Sequence, residues 1–305
     1  MTVESNAVSR GAALATGDPA PVPRARRLMR AVAAVGAAVL LVAATAACGA
    51  DGDDAAAQVR PSAAPTTLGP SGSAEITVAA ASDLRPAFEE LGTAFEAETG
   101  TVVTFSFGSS GQLREQIING APFDLFASAN VDFVDDVIDA GRGIADTKAD
   151  YAHGRIVLWT PAGVEPPASI DELVDPRFRR IAIANPEHAP YGLAAKEALV
   201  AAGVYEVVEG RLVYGESISD TFRIAQSGNA DVGIVALSLA IADGSDYTLV
   251  PAELHEPLQQ ALVVTSTGAR GDTAVAFAAF IGSPAGREVM VRYGFVLPGE
   301  QALAD

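Results

Sequence analysis

The sequence predicts an α/β protein of two lobes, each a mostly parallel sheet flanked by helices, with a ligand cleft between them. Three observations carry this. Short β-branched and apolar runs alternate with longer stretches whose apolar residues recur every three or four positions, the rhythm of a parallel sheet covered by helices. The alternation occurs in two sets joined by connecting strands. Hydroxyl residues, small residues and glycines gather at the strand-to-helix junctions, the ends at which open α/β sheets bind ligands.

The first set begins with EITVAAA (75–81) and a helix over 83–99, where Leu84, Phe88, Leu91 and Phe95 fall on one face. TVVTFSF (101–107) leads to a helix at 111–120, and FDLFAS (123–128) to another at 131–141. GRIVLWTP (154–161) reads as a strand closed by Pro161. The second set runs RIAIANP (180–186), helix 192–202, RLVYG (211–215), helix 219–228 and DVGIVAL (231–237). The tail has a strand at 260–267 and helices at 272–281 and 284–292. The chain is expected to cross near 156 and return near 258. That makes one lobe of 75–156 with 258–305 and the other of 157–257.

The N-terminal part has a different character. Arg24, Arg26, Arg27 and Arg30 precede AVAAVGAAVLLVAATAA, which ends just before Cys48. A basic stretch, an apolar stretch and small residues before a cut make 1–47 a secretory signal peptide. Cys48 is the single cysteine of the chain, so no intrachain disulfide forms. The site resembles the lipobox of bacterial lipoproteins, whose cysteine is acylated and becomes the new N-terminus, with Thr45 at the position where leucine is usual. Residues 48–74 are then a lipidated cysteine and a flexible linker of Ala, Gly, Pro, Ser, Thr and Asp. The expected location is a membrane-anchored lipoprotein on the extracytoplasmic side, as a monomer. Five arginines against Glu4 and Asp18 give the first 47 residues a charge of +3, which leaves −21 on the rest of a chain whose net charge is −18. So acidic a body is no partner for nucleic acid. Lys148 and Lys196 are the only lysines, so a bound anion must be held by local donors.

Four junctions share such donors. Ser82 follows the first strand. Ser109 and Ser110 (FGSSGQL) follow the second. Pro190, Tyr191 and Gly192 (EHAPYGL) open the helix after IAIANP. Ser217 and Asp220 (ESISDTF) have capping-box spacing around Ile218 and Ser219. Capping alone explains any one junction, since a serine N-cap stabilises a helix by about 1 kcal/mol. Two junctions from each lobe together make a cage of N–H donors and positive helix ends. Hydrogen bonds to a charged group contribute roughly 1.5–3 kcal/mol each. About seven of them leave a net near −10 to −12 kcal/mol, or nanomolar dissociation constants. Peptide N–H groups only donate, so the cage favours a fully ionised tetrahedral oxyanion over one carrying a proton. The discrimination is soft, because the Ser82 and Ser110 hydroxyls also accept. Asp83, Asp132, Asp135, Asp136 and Asp139 read as solvated-face residues.

These segments, AAASDL…TGTVVTFSFGSSGQLREQIINGAPFDLFASA, ANPEHAPYGLAAKEAL, SGNADVGIVALS and VRYGF, resemble the periplasmic molybdate-binding proteins of ABC transporters over about 75–296. The resemblance implies a type II periplasmic binding protein fold, with molybdate or tungstate as ligand, an ABC permease as partner, no cofactor and no catalysis. It implies that Ser82 and Ser110 hold the oxyanion through hydroxyl and N–H, and that Tyr191 and Ile218 supply backbone N–H groups. No direct protein–metal bond is implied, and selectivity over sulfate is one of size. The tyrosine whose hydroxyl the family often adds after the GIV strand is Ala236 here. Either that bond is lost, or Ser238 or Tyr191 replaces it; Ser109 is a further candidate contact.

Two other function classes remain. The same fold could take sulfate or thiosulfate. A cleft hydrolase would need a serine nucleophile, a base and an orienting group, yet His153, His188 and His255 are far apart and no GxSxG elbow occurs. The histidine spacing also fits no metal site.

Overall fold

The computed structural model describes residues 74–300. The expected signal peptide, Cys48 and the linker as far as 73 lie outside the described residues.

Two five-stranded sheets form the two lobes. In the first, β1 (Glu75–Ala81) lies between β2 (Val102–Gly108) and β3 (Leu125–Ser128), all parallel. β10 (Leu258–Val264) runs antiparallel beside β3, and β4 (Ala149–Gly154) pairs antiparallel with β10 at the edge. The second sheet repeats the plan. β6 (Ile181–Ala184) lies parallel between β7 (Leu212–Gly215) and β8 (Val232–Ala236). β5 (Ile156–Trp159) is antiparallel to β8, and β9 (Tyr247–Leu249) is antiparallel to β5. Each sheet is therefore parallel but for one strand.

The helices follow from the strands. A 3-10 turn (Ser82–Leu84) leads into α1 (Arg85–Thr99), and α2 (Ser110–Ile118) and α3 (Val131–Asp139) complete the first βα series. The second lobe carries α4 (Pro190–Ala201), the single turn α5 (Tyr205–Val208), α6 (Ile218–Gln226) and α7 (Leu237–Asp243). α8 (Gly271–Ile281) and α9 (Pro284–Arg292) return to the first sheet, where α8 packs on α1 and β10. The expected face of α1 is the buried one: Phe88 meets Phe105 at 5.9 Å and Phe95 meets Phe277 edge-on at 5.2 Å. β1 is apolar on both faces because helices cover both, so Ile76, Val78, Ala79 and Ala80 are all fully buried.

The stretch read as one strand, 154–161, is the junction of two. Gly154 ends β4 in the first sheet and Ile156 begins β5 in the second, so the crossing is Arg155. β4 escaped the sequence because ADYAHG has little β propensity of its own. α7 escaped because LSLAIAD continues the apolar run of β8 without a break.

Asp124 ties the first lobe together at the start of β3. It is 3% exposed and accepts from the Thr77 N–H (2.8 Å) and the Arg270 N–H (3.1 Å). Asp124→Ala leaves both donors without this partner. It is expected to cost about 1–3 kcal/mol, read as a lower melting temperature; an unchanged one contradicts this role.

Candidate functional site

The carboxyl ends of β1, β2, β6 and β7 meet across the lobes around one small cavity. Ser82, Ser110, Tyr191 and Ile218 all line it, with Asp83 and Ala129 among the rest of its wall. The space inside it is about 10 Å³, room for about one water-sized group and far below the roughly 300–1,000 Å³ of pockets for organic ligands. No lysine or arginine lines it among the described residues.

The bland capping explanation holds at one junction only. Ser217 caps α6 by accepting from the Asp220 N–H at 3.2 Å. Ser109 stands at the N-cap of α2 and Ala189 at that of α4, and neither gives a side-chain cap. First-turn N–H groups have no partner within their own helix, and Ser110, Tyr191 and Ile218 occupy those first turns.

The two serine hydroxyls are oriented from behind. Ser110 Oγ accepts from the Ala129 N–H at 3.0 Å, and Ser82 Oγ accepts from the Ser219 N–H at 3.2 Å. Neither hydroxyl donates to any group among the described residues. A hydroxyl has one proton to give, and a backbone donor on the oxygen turns that proton away from itself. The sequence left these serines free to act as acceptors; their surroundings make them donors.

Of the further candidates, Ser109 lines the cavity and Ser238 does not, and the hydroxyls of both are engaged with backbone carbonyls. Ser109 Oγ donates to the His188 carbonyl at 2.5 Å, and the Gly111 N–H reaches the same carbonyl at 3.0 Å. Ser238 Oγ donates to the Asp83 carbonyl at 2.7 Å and is not part of the cavity wall. The Tyr191 hydroxyl donates to Asp83 Oδ2 at 2.9 Å. Both hydroxyls that could replace the tyrosine missing at Ala236 are thus spent on Asp83.

These contacts also hold the lobes together. Ser219 Oγ adds a bond to the Ser82 carbonyl at 2.8 Å, and Gln112 Nε2 reaches Glu216 Oε2 at 3.0 Å. The approach is close enough to demand glycine twice. A Cβ on Gly111 would lie 2.6 Å from the His188 carbonyl oxygen, and one on Gly154 would lie 2.1 Å from the Tyr191 hydroxyl.

Asp83, read from sequence as a solvated residue, is fully buried. Gln260 Nε2 (2.8 Å) joins the Tyr191 hydroxyl on Oδ2, and the Tyr151 hydroxyl lies 2.9 Å from Gln260 Oε1. Burial pushes the Asp83 pKa up to about 6, against the pull of the Gln260 and Tyr191 hydrogen bonds and of the backbone N–H groups of Asp83 and Leu84. Burial, reinforced by the Asp83 charge, holds Tyr151 and Tyr191 well above the ordinary tyrosine range, so both stay neutral. No signal in the sequence separates Asp83 from other helix-start aspartates; its depth comes from lobe 2 closing over it.

A serine–histidine–carboxylate alignment occurs at the lobe contact but lacks the logic of a catalytic triad. His188 Nδ1 is 2.9 Å from Ser109 Oγ, and His188 Nε2 is 3.8 Å from Glu216 Oε2. The Ser109 proton already points at the His188 carbonyl, so Nδ1 serves as donor to Oγ and cannot deprotonate it.

Residues 76–296 match the family model described as bacterial extracellular solute-binding protein. The chain belongs to this family. Over 231 residues this solute-binding protein is 37% identical to the molybdate-binding protein ModA of Rhodobacter capsulatus, spanning 74% of this chain and 90% of the relative. The solved periplasmic molybdate-binding protein of Azotobacter vinelandii has a TM-score of 0.69 and 31% identity, covering 73% of this chain and 99% of that one. The sulfate-binding protein SubI of Mycobacterium tuberculosis shares the fold, with a TM-score of 0.62 at 19% identity over 74% of this chain and 88% of its own.

Gly111→Ala places a methyl group against the His188 carbonyl and is expected to hold the lobes apart without unfolding either. Solution scattering should report a more open form, and ligand affinity should fall about tenfold or more, equivalent to 1.4 kcal/mol or above. Unchanged scattering and affinity would contradict the contact's role in closure.

Proposed function

We propose that this solute-binding protein captures molybdate or tungstate outside the cytoplasm and delivers it to an ABC permease. The observation that carries this reading is the pair of hydroxyls, Ser82 and Ser110, each turned into a donor by a backbone N–H behind it. They open on a cavity too small for an organic ligand and free of lysine and arginine among the described residues. The Ser110, Tyr191 and Ile218 N–H groups complete a donor set that suits an anion able to accept on every oxygen. Phosphate at neutral pH carries a proton and would waste a donor, at about 1–3 kcal/mol. The Rhodobacter and Azotobacter relatives, named for molybdate binding, support the choice of ion. The protein binds its ligand without chemistry, as a monomer, tethered to the membrane by acylated Cys48.

Calorimetry with molybdate, tungstate, sulfate and phosphate tests the assignment. The first two should bind far more tightly, and sulfate displacing molybdate would overturn it. Ser110→Ala and Ser82→Ala should each weaken molybdate binding by roughly 10- to 100-fold, from the loss of one charge-assisted bond. Wild-type affinity in both would remove the hydroxyls from the site. For the anchor, mass spectrometry of protein from native membranes should find a lipid-modified N-terminal Cys48, and an unmodified cysteine would contradict it.

A further inference from the structure

Asp83 is out of place in an anion site. It lines the cavity, is fully buried, and comes from the residue next to Ser82. Both side-chain donors that reach it, the Tyr191 hydroxyl and Gln260 Nε2, converge on Oδ2. Oδ1 is buried with no hydrogen-bond partner. Besides these two donors only the backbone N–H groups of Asp83 and Leu84 help to offset burial, so the ionised carboxylate is costly in this position, and a dianion arriving in the same cavity makes it costlier.

The groups that face the carboxyl offer no charge to offset either anion. Tyr191 of α4, Tyr151 of β4 and Gln260 of β10 are neutral. From α6 and α7, the helices packed on the 3-10 turn, Ser219 and Ser238 make the contacts. The ionisable groups of neighbouring helices have partners of their own: Arg85 with Glu89 on α1, Arg223 with Asp220 on α6, and Asp243 of α7 accepting from the Gln226 amide.

We propose that Asp83 couples oxyanion capture to the uptake of a proton: its carboxyl is protonated in the loaded protein and gives the proton back to solvent as the anion leaves. This rests on the oxyanion reading of the cavity and adds the proton as a second ligand of the same site. No bond to the oxyanion is made or broken. Protonation turns Oδ1 from an acceptor without a donor into a group able to donate, and it removes a like charge from beside the anion. Two negative charges in one site raise each other's proton affinity. Burial with the lobes together lifts the carboxyl to about 6, and the anion moves that titration further upward. By linkage, affinity is then full below the free-protein pKa and falls as pH rises between the free and loaded values, by at most about tenfold per pH unit for one proton. It levels off above the loaded value.

The experiment is calorimetry of molybdate binding to the full chain between about pH 6 and about pH 9, in buffer pairs of different ionisation heat, which counts protons taken up. Wild type should take up a fraction of a proton per ion, and its affinity should fall over this range. Asp83→Asn, which keeps the shape and cannot titrate, should bind with no uptake and a flat profile. Tyr191→Phe removes a donor that favours the charged carboxylate and should move the fall to higher pH, which keeps the test open if Asp83→Asn does not fold. Binding by wild type with no proton uptake and a flat profile overturns the coupling and leaves the oxyanion reading standing. So does wild-type uptake in Asp83→Asn. Absence of molybdate and tungstate binding at every pH overturns both.

Discussion

A doubly charged ion taken out of water into a space without a countercharge has to be matched bond by bond. That constraint organises the molecule. Burial of an unpaired charge costs tens of kcal/mol in the idealised limit, so each oxygen needs donors held around it. Parallel strands supply them cheaply, because each one ends in a helix whose first N–H groups have no internal partner. Two sheets whose helix starts converge from opposite sides surround an ion in a way that a single sheet edge does not. In the proposed site the Ser82 and Ser110 hydroxyls and the backbone of Tyr191 and Ile218 supply these donors, so anion binding needs no lysine or arginine even in a chain of strongly negative net charge.

Closure and recognition are the same set of contacts. The Ser219 N–H that orients the Ser82 hydroxyl belongs to the opposite lobe, so that donor is aligned only when the lobes are together. The hydroxyl of Tyr191 docks on Asp83, and its backbone lies on the cavity wall. Asp83 takes a second bond from lobe 2 through its carbonyl and Ser238. The closed form is thereby sensitive to the charge state of the one carboxyl in the wall, whereas the exposed ion pairs of the surface contribute little.

Much of this was legible in the chain. The period of Leu84, Phe88, Leu91 and Phe95 marked α1, and the alternation of runs marked both sheets. The hydroxyl-rich junctions marked the residues that line the cavity. What stayed hidden has a common cause: it depends on partners distant in sequence. Ser109 and Ser110 are adjacent and chemically identical, yet Ser110 receives the Ala129 N–H and Ser109 meets His188 from the other lobe. Asp83 looks like any acidic residue at a helix start until Tyr191 and Gln260 close on it. The crossing expected near 156 falls at Arg155, but the change of sheet inside the run 154–161 stayed hidden because no turn residue follows Gly154 to mark it.

The central claim concerns who holds the ion, and anomalous diffraction at the molybdenum edge from crystals of the loaded protein addresses it most directly. The account predicts a metal peak in the gap between Ser82 and Ser110, its four oxygens contacted by hydroxyl and peptide N–H groups alone. A peak outside that gap, a lysine or arginine on the ion, or a protein atom bonded to the metal would contradict it.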